Sequence, residues 1–549
     1  MATIGDFERS EVKKENNLFS HFRSLIETTF YGNNVTHVSD LKEAYNYAEK
    51  STATIVTDMP VKHTKELGLP EDAKMLVSND GKVVGRTAQA RVVIGQPGVD
   101  PDYYQGILRE AIYQARQRQF YCADVVVGLD EKFMVKSHLT LPAGFEANLY
   151  SYLLNFQIVD PSWQERYEHS TFYKEGDIYL FADPDWRHPD FPNGLALFDP
   201  EHNVAAILGL RYFGELKKAT LTLAWATAHR NNYVACHGGL KQYHLTDGKK
   251  FTMAAFGLSG SGKSTITLTK HGGKYQVDVL HDDAFIINRD SGATIALEPS
   301  YFDKVQDYPL SHATVQYYLT MQNVGVTLDK NGLKVPVLQD IRNGNGRTVK
   351  SRYVTKNRVD VLDDKLDAIF WIMKDDSLPP VVKINDSILA AVFGLTLATK
   401  RTTAENIVGN VDLNQLVIEP YADPFRAYPL AEDYRNFRDL FSKNQIDCYI
   451  LNTGSYQGKD IPPKVTLTSI EKIISKEAAF EQFGPLKEMA YLPIKGYEVA
   501  FSNEEYLKKV KIRLQNRLDY ILKENDENEG YDALPSEAEE AMRKILAQL

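Results

Sequence analysis

The sequence predicts an α/β protein built from two lobes, and three observations support this prediction. Helical and strand patterns alternate along most of the chain, which is typical of sheets covered by helices. A glycine-rich loop at 257–265 stands between a strand pattern and a helix pattern near mid-chain. At 549 residues, the chain is too long for one hydrophobic core and has room for roughly two to four domains or lobes.

The elements follow from their hydrophobic periods. In the first half we expect a helix at 103–120, strands at 123–127, 133–139 and 204–208, and a helix at 221–229. Around and after mid-chain we expect strands at 251–256, 277–280 and 368–373, with a helix from Ser264 onward. A last helix should follow a capping box at 502–505, with an apolar face formed by Leu507, Val510, Leu514, Leu518 and Ile521.

The charge of the chain favours small-molecule partners. The formal net charge is −10, whereas broad nucleic-acid binding needs a basic face. We therefore expect no nucleic-acid partner and expect ligands held by local positive sites. No run of residues approaches the length of a membrane span, so we expect no membrane partner either. Nothing in the sequence indicates an oligomeric state.

The cysteines indicate a reducing compartment. Cys122, Cys236 and Cys448 lie far apart and form no CxxC pair, which argues against a thiolate metal cluster. The charged segment 1–16 lacks an apolar stretch, so we expect no signal peptide. Together these features predict a cytoplasmic location.

The loop at 257–265 fits the phosphate-binding pattern G-x-x-x-x-G-K-[ST]. Its glycines tolerate positive φ, so successive backbone N–H groups can point at phosphate oxygens. Lys263 would reach the terminal phosphates, and the Ser264 hydroxyl would hold a divalent cation. A Gly/Ser-rich turn is the simpler alternative, but it does not explain the position of the lysine. The predicted phosphate-binding residues are Gly257, Leu258, Ser259, Gly260, Ser261, Gly262, Lys263, Ser264 and Thr265.

Downstream of the loop, an apolar strand ends in Asp282 and Asp283. Carboxylates at a strand end are the usual partners of a cation that bridges phosphates. A solvated turn or a helix cap is the commonest use of two adjacent aspartates. The strand before the pair and the phosphate loop upstream favour the metal-binding interpretation.

Two further motifs have ordinary interpretations when each is taken alone. The segment 211–218 would be a basic turn, and His237 would be a packed, hydrogen-bonded histidine. Together with the loop and the aspartate pair they resemble the ATP-dependent phosphoenolpyruvate carboxykinase family. In that family a Y-x-G-E-x-K-K segment precedes a His, then G-L-S-G-[TS]-G-K-[TS]-T, then D-D. The segment 449–454 is also similar to the family's Y-L-V-N-T-G.

The resemblance implies a two-lobed fold with a P-loop mononucleotide-binding C-terminal domain. We expect an N-terminal substrate-binding domain at 1–245 and a C-terminal nucleotide-binding domain at 246–549. The segment 394–409 falls where the family has a mobile lid that excludes water. An ordinary surface loop explains its composition equally well.

The resemblance also implies two cations. Lys218, His237 and Asp283 would ligate Mn²⁺, and Ser264 would hold Mg²⁺ on the nucleotide. A lysine ligand must be neutral, so its pKa must fall well below the ordinary value, as burial and a nearby dication would cause.

Other residues would contact the substrates. Arg86 and Tyr212 correspond to the family's oxyacid contacts, and a guanidinium matches a carboxylate with two parallel hydrogen bonds. Arg347 is the candidate for neutralising charge between phosphate and oxyacid, with Arg352 as its rival. Lys304 falls where the family has a lysine near the phosphates. The residues expected to act directly in catalysis are Lys218, Lys263, Arg347 and Arg86.

The implied reaction is of the gluconeogenesis type. ATP and oxaloacetate would give phosphoenolpyruvate, CO₂ and ADP, through an enolate that attacks the γ-phosphate. The protein would act by positioning and charge neutralisation, as in other phosphoryl transfers.

Several positions depart from the family pattern. The family's G-R-S-P-K-D-K is 85–91 here and keeps the arginine but not the lysines. Ala284 replaces an acidic residue, and the segment 298–304 lacks two glycines and a cysteine. The arginine expected against adenine is missing from 464–469, and the family's S-R-L is Val-Lys-Ile at 382–384. These departures leave open a kinase with another phosphoryl acceptor or nucleotide. A nucleotide-binding protein without catalysis is the third hypothesis, and the retained Lys218 and His237 argue against it.

Overall fold

The computed structural model describes residues 20–78, 90–258, 260–339, 346–400 and 415–549. These residues form two compact units. Unit 1 contains the described residues within 20–231 and 296–356, and unit 2 contains those within 232–295, 357–400 and 415–549. The architecture is mixed α/β in both units, as the sequence predicts.

Unit 1 contains a large mixed sheet. Its strands, in spatial order, are Val35–His37, Phe120–Asp130, Phe133–Pro142, Ile178–Asp183, Val204–Leu208, Leu195–Asp199 and Arg91–Val93, with Gln157–Ile158 paired to Phe120–Asp130 off this path. The helix Phe213–Arg230 packs across Ile178–Asp183 and Val204–Leu208 and is buried along most of its length. The helices His21–Thr28 and Pro101–Ala115 add Ile26, Leu108 and Ala111 to the hydrophobic core of this sheet.

A second sheet in unit 1 explains why residues from 296–356 belong with the N-terminal half. Its strands, in spatial order, are Tyr301–Lys304, Arg347–Lys350, Tyr318–Gln322, Lys74–Ser78 and Thr54–Pro60. The strand Tyr318–Gln322 pairs in parallel with Lys74–Ser78, so backbone hydrogen bonds join the two parts of the chain. The division expected after residue 245 assigns 296–356 to the C-terminal domain, whereas these residues lie in unit 1.

Shorter elements complete unit 1. A hairpin joins Gly325–Leu328 to Lys334–Val337. The remaining helices are Leu41–Ala48, Thr64–Leu67, Glu146–Asn155 and Pro161–His169, with 3₁₀ turns at Pro200–His202, Ala313–Tyr317 and Arg352–Val354.

Unit 2 is organised around another mixed sheet. Its strands, in spatial order, are Gln276–His281, Gly239–His244, Lys250–Phe256, Ala368–Met373, Asp447–Asn452, Val381–Ile384, Leu486–Tyr491 and Glu481–Phe483. The strands Lys250–Phe256, Ala368–Met373 and Asp447–Asn452 are adjacent and parallel. Their carboxyl ends therefore lie at the same edge of the sheet, where ligands bind in open α/β sheets.

Smaller sheets and helices complete unit 2. One sheet joins Tyr233–His237, Ala284–Asn288, Thr294–Ala296 and Val361–Leu362, and two-stranded ribbons join Ala398–Lys400 to Leu416–Ile418 and Ser455–Tyr456 to Lys459–Asp460. The helices are Lys263–Leu268, Ser387–Leu395, Leu430–Asn444, Pro463–Ile474, Glu504–Asp526 and Ser536–Leu546, with 3₁₀ turns at His271–Gly273, Pro420–Ala422 and Asn528–Gly530. Among the described residues, no helix is both long and apolar enough to cross a membrane. Cys122, Cys236 and Cys448 are buried free thiols.

The predicted elements are largely confirmed, but several of their boundaries are wrong. The helix predicted at 221–229 begins at Phe213, and the strand predicted at 123–127 spans Phe120–Asp130. The strands Val204–Leu208 and Ala368–Met373 have the predicted bounds. The helix predicted to reach residue 120 ends at Ala115, because Phe120 opens a buried strand that pairs with Val35. The last helix begins at Glu504 with Asn503 as its cap. The Asn503 side-chain oxygen accepts hydrogen bonds from the backbone N–H groups of Glu505 and Tyr506.

A buried ion pair holds the helix Phe213–Arg230 within unit 1. The Lys217 ammonium lies 2.9 Å from Oε1 of Glu298, and both side chains are almost fully excluded from solvent. Asn155 Nδ2 donates a second hydrogen bond to Glu298 Oε2 at 2.6 Å. An ion pair of this kind is costly to break, because removing one partner leaves the other charge buried and uncompensated.

A largely buried histidine links neighbouring strands of the large sheet in unit 1. His138 Nδ1 lies 2.6 Å from Asp124 Oδ1, and its Nε2 lies 3.0 Å from Asp177 Oδ2. Burial lowers the pKa of His138, but hydrogen bonds and charge from the two carboxylates outweigh it and raise the pKa above 6.5. Burial raises the pKa of Asp124, and its bonds to His138 and His37 reverse this and hold that pKa below its ordinary value.

We predict that replacing Lys217 with Met lowers the free energy of unfolding by about 3–5 kcal/mol, because Glu298 then remains buried without its partner. Urea-induced unfolding followed by tryptophan fluorescence measures the change. Lys218→Met is the matched control, since Lys218 is only half-buried and lies over the Trp225 ring. Equal losses in the two variants would contradict the prediction.

We predict a pH window for stability set by the His138 cluster. A raised folded-state pKa for His138 adds stability that is full below its unfolded pKa of about 6.5 and is lost as the pH rises through the folded value. The lowered pKa of Asp124 adds stability that is present above its unfolded value and is lost in acid. The melting temperature of His138→Gln should depend less on pH above neutrality than that of the wild type. The exposed His169→Gln control should keep the wild-type profile.

Candidate functional site

The predicted phosphate-binding loop follows Lys250–Phe256, an inner strand of the large sheet of unit 2. The strand Lys250–Phe256 ends immediately before Gly257, and the helix Lys263–Leu268 begins immediately after Gly262. Gly262 has φ of 98°, a left-handed conformation that glycine adopts without steric cost. At Gly257 an added Cβ would lie 2.9 Å from the Ile372 side chain, so the neighbouring strand leaves no room for a larger residue. Ser259 lies outside the described residues.

A buried lysine supports the far end of the short helix Lys263–Leu268. Lys241 Nζ donates to the carbonyl oxygens of Ile266 at 2.6 Å and Thr269 at 3.1 Å. Burial lowers the pKa of Lys241 to about 7. These hydrogen bonds satisfy carbonyl groups that a helix end leaves without an intrahelical partner.

Three candidate side chains converge beside the loop. His237 Nε2 lies 2.9 Å from Asp283 Oδ1, and Lys263 Nζ lies 3.7 Å from the same oxygen and 3.5 Å from His237 Nε2. His237 comes from the end of Tyr233–His237, Lys263 from the phosphate loop, and Asp283 from the turn that follows Gln276–His281. A cation, an imidazole and a carboxylate therefore lie together, and all three side chains are largely buried.

The orientation of Asp283 depends on a second histidine. His281 is fully buried, and its Nδ1 accepts hydrogen bonds from the backbone N–H groups of Asp283 and Ala284 at 3.0 and 3.1 Å. The Asp283 carbonyl in turn accepts a bond from Gly238 N–H at 3.0 Å, next to His237. These backbone bonds fix the turn that presents the Asp283 carboxylate to His237.

The donor set suits a divalent metal cation. Carboxylate oxygen and imidazole nitrogen are ligands that Mn²⁺ accepts, and Mg²⁺ prefers oxygen. His237 and Asp283 supply one nitrogen and one oxygen donor close together, and Ser264 follows Lys263 at the start of the helix. Within the described ranges, no group of three or more His, Cys, Asp or Glu side chains is arranged to hold a metal by itself.

A cavity of about 220 Å³ adjoins the phosphate loop. Gly260, Gly262 and Thr265 line it on the loop side. The helix Pro463–Ile474 contributes Pro463, Thr466 and Leu467, and Ile461 lies two residues before it, so this side of the cavity is mostly apolar. The sequence lacks the arginine expected near this helix, and the structure has apolar side chains there.

Two residues of this region were missed by the sequence analysis. Lys374 follows the strand Ala368–Met373 and donates to the Gly260 carbonyl at 3.2 Å. Thr453 follows Asp447–Asn452, and its hydroxyl donates to the Ser261 carbonyl at 2.8 Å. Both line the cavity because their strands end at the same sheet edge as the strand before the loop. The N-T-G match at 452–454 was a signal for Thr453, whereas Lys374 had no local signal.

Unit 1 brings another group of candidates together. Lys304 and Arg347 are register partners at the ends of two antiparallel strands. Arg347 is buried and hydrogen-bonds to the Tyr212 side chain. Burial raises the pKa of the Tyr212 hydroxyl, and the charge of Arg347 opposes that rise. Arg352 lies instead in a 3₁₀ turn that follows the strand Arg347–Lys350.

The remaining predicted residues divide between described and undescribed parts of the chain. Lys218 lies in the first turns of the helix Phe213–Arg230, half-buried, with its ammonium 5.6 Å from the centre of the Trp225 ring. Arg86 lies outside the described residues, as does the 401–409 part of the expected lid. The first part of the expected lid, residues 394–400, includes the end of the helix Ser387–Leu395 and the strand Ala398–Lys400.

Comparisons with a family model and with individual proteins point to the same family. A family model described as phosphoenolpyruvate carboxykinase matches residues 50–500. The chain is 25% identical over 292 residues to the phosphoenolpyruvate carboxykinase (ATP) of Aeropyrum pernix, covering 51% of this chain and 57% of that protein. It is 24% identical over 253 residues to the protein of that name from Saccharomyces cerevisiae, covering 40% and 42%. It is 22% identical over 211 residues to the one from Dictyostelium discoideum, covering 35% and 36%. The alignments thus span little more than half the length of these relatives, or less.

We predict that Lys263→Met weakens binding of Mg-ATP about ten- to a hundredfold. Hydrogen bonds to charged groups contribute about 1.5–3 kcal/mol, and about 1.4 kcal/mol is a tenfold change. Isothermal titration calorimetry without a second substrate measures the affinity. The exposed Lys270→Met variant, just beyond the same helix, is the control and should bind as the wild type does. Wild-type affinity in Lys263→Met would contradict the phosphate role of this loop.

Proposed function

The chain belongs to the ATP-dependent phosphoenolpyruvate carboxykinase family, and from that membership we propose that it catalyses the conversion of oxaloacetate and ATP to phosphoenolpyruvate, CO₂ and ADP. The observation that carries the proposal is the convergence of His237, Lys263 and Asp283 beside the phosphate loop. A phosphate-binding loop serves many reactions, but it does not by itself require an imidazole and a carboxylate within reach of its lysine.

We propose that the two compact units correspond to the family's two lobes. Unit 2, with the loop and the adjoining cavity, would bind the nucleotide, and unit 1, with Tyr212 and Arg347, would bind the oxyacid. The expected boundary at residue 245 is then replaced by a division in which 296–356 accompany the N-terminal half. The sequence resemblance adds Arg86 to the oxyacid contacts and a lid near 394–409.

The family resemblance suggests that Lys218, His237 and Asp283 would hold Mn²⁺. Ser264 would hold Mg²⁺ on the nucleotide. Bound cations would neutralise negative charge on the oxyacid and the phosphates. The 2.9 Å approach of His237 Nε2 to Asp283 Oδ1 supports the pairing of these two ligands, and Lys218 is added from the sequence resemblance.

The chain's own cations would serve the transfer step. Lys263 would bind the β- and γ-phosphates, and Arg347 would neutralise charge that develops as the phosphoryl group moves. Tyr212, held by Arg347, would orient the oxyacid. Lys304, the register partner of Arg347, would add a further positive charge near the phosphates.

The base of the nucleotide would lie in the apolar part of the cavity. Ile461, Pro463 and Leu467 offer dispersion contacts to a planar base, and Thr466 offers a hydroxyl. No nucleic-acid partner is proposed, because the net charge is negative. A cytoplasmic location is supported by the buried free cysteines.

We predict that the purified protein forms phosphoenolpyruvate and ADP from oxaloacetate and ATP when Mg²⁺ and Mn²⁺ are present. Coupled assays for both products measure the reaction, with Lys263→Met as the inactive control. Absence of phosphoenolpyruvate with ATP, GTP and other donors would rule out the proposed reaction. Phosphoryl transfer to another acceptor would instead indicate a kinase on the same scaffold.

We predict that Lys218→Ala and His237→Ala each reduce Mn²⁺ activation at least tenfold while leaving ATP affinity close to that of the wild type. The reason is that these residues would bind the cation and not the nucleotide. Activity titrated with Mn²⁺ at saturating ATP, together with calorimetry, separates the two effects. His244→Ala is the control. His237 lies just before the strand Gly239–His244, and His244 lies at the far end of that strand. Normal Mn²⁺ activation in both site variants would contradict the ligand assignment.

A further inference from the structure

The Nδ1 atom of His237 contacts a backbone carbonyl group. Its Nδ1 lies 2.5 Å from the carbonyl oxygen of Ala422, while its Nε2 faces Asp283. A carbonyl oxygen only accepts hydrogen bonds, so Nδ1 must carry the hydrogen in this contact. The lone pair of the neutral ring is then on Nε2, on the side of the carboxylate.

The carbonyl belongs to a turn with an unusual backbone. Tyr421 has φ of 54° and Ala422 has φ of 55°, and neither is glycine. Among the described residues, these are the only two consecutive non-glycine residues with positive φ. Side chains rarely adopt this region, and such strain persists only where the surroundings enforce it.

Packing and hydrogen bonding around Tyr421 hold this backbone conformation in place. The buried Tyr421 ring stacks on Phe437 with centroids 4.4 Å apart and planes 13° apart. Its hydroxyl donates to the Ala391 carbonyl at 3.1 Å, and the ring also contacts Trp371. Trp371 lies on the strand Ala368–Met373, next to the strand that leads into the phosphate loop. The Ala422 carbonyl is therefore anchored to the sheet that carries the candidate site.

A second contact restricts the ring of His237. Phe425 packs edge-on against it, with centroids 5.2 Å apart and planes at 90°. The Phe425 backbone N–H donates to Asp423 Oδ1 at 2.9 Å, which closes the turn between Ala422 and Phe425. One short segment thus supplies both the hydrogen-bond acceptor and the packing surface for the same imidazole.

We propose that the segment 421–425 is a positioning element that fixes the tautomer and orientation of His237, so that Nε2 is presented to a divalent cation. The inference rests on the proposed role of His237 as a ligand. Hydrogen bonding of the second ring nitrogen is how proteins orient metal-binding histidines, and losing such support typically costs about 10- to 100-fold in metal affinity. Ala422 acts through its backbone, so it is a positioning residue and not a catalytic one.

The first experiment reads the tautomer directly. In metal-free full-length protein labelled with [¹⁵N]histidine, two-bond ¹H–¹⁵N correlations distinguish protonated from unprotonated ring nitrogens. His237→Gln identifies the His237 signals by their loss. We expect Nδ1 to be protonated at every pH at which the protein is folded. A neutral His237 with its hydrogen on Nε2 would overturn the proposal, whatever the enzyme's activity.

The second experiment measures Mn²⁺ affinity by electron paramagnetic resonance, without turnover. Ala422→Val places a β-branched side chain at positive φ in a buried turn and should weaken Mn²⁺ binding about 10- to 100-fold. Ala422→Gly accepts the same backbone and should bind within about twofold of the wild type. Ala53→Val is the matched control, since Ala53 also has positive φ, at 63°, but is exposed and lies in unit 1.

The comparison with His237→Ala separates the two proposals. If His237→Ala binds Mn²⁺ normally, the ligand assignment fails. If His237→Ala loses Mn²⁺ while a folded Ala422→Val keeps it, only the positioning role fails. Tyr421→Phe provides a milder variant that removes the bond to Ala391 but keeps the stacked ring, and it should weaken Mn²⁺ binding by less than Ala422→Val does.

Discussion

The parallel alignment of three strands in unit 2 is the constraint on which the candidate site depends. Lys250–Phe256, Ala368–Met373 and Asp447–Asn452 run side by side, so their carboxyl ends share one edge. The residues that follow each strand are therefore brought together although they lie far apart in the chain. The phosphate loop, Lys374 and Thr453 meet in this way. The pairing of these strands by backbone hydrogen bonds fixes their register, and a shift of one residue would turn every side chain to the other face.

Backbone atoms support the side chains that would bind the cation. His281 fixes the turn of Asp283 through two backbone N–H groups, and the Ala422 carbonyl fixes His237. Such contacts do not depend on a particular side chain at the supporting position, so the sequence carries little trace of them. They matter because a ligand held within a narrow range of orientations loses less entropy when the cation binds.

The departures from the family pattern fall mainly on residues expected to contact the base and the oxyacid. The residues proposed to bring charge toward phosphates and cations are present, namely Lys218, His237, Lys263, Asp283 and Arg347. The cavity beside the loop has apolar side chains where the family has an arginine. Charge neutralisation requires specific ionic groups at specific distances. Contact with a flat base can be made by many apolar side chains, so this part of a site tolerates more sequence change.

The sequence by itself determined that a glycine-rich loop stands between a strand and a helix, and that helices and strands alternate along the chain. These features depend on neighbours within a few positions, so local patterns reveal them. Only the tertiary structure decided which distant segments pair. It ended the predicted helix at Ala115 because Phe120 pairs with a remote strand, and it assigned 296–356 to unit 1. It placed Arg347, and not Arg352, as the partner of Lys304 and Tyr212, which local register left ambiguous. The Ala422 carbonyl had no sequence signal at all, because every residue has a carbonyl and only the folded chain positions one of them against His237.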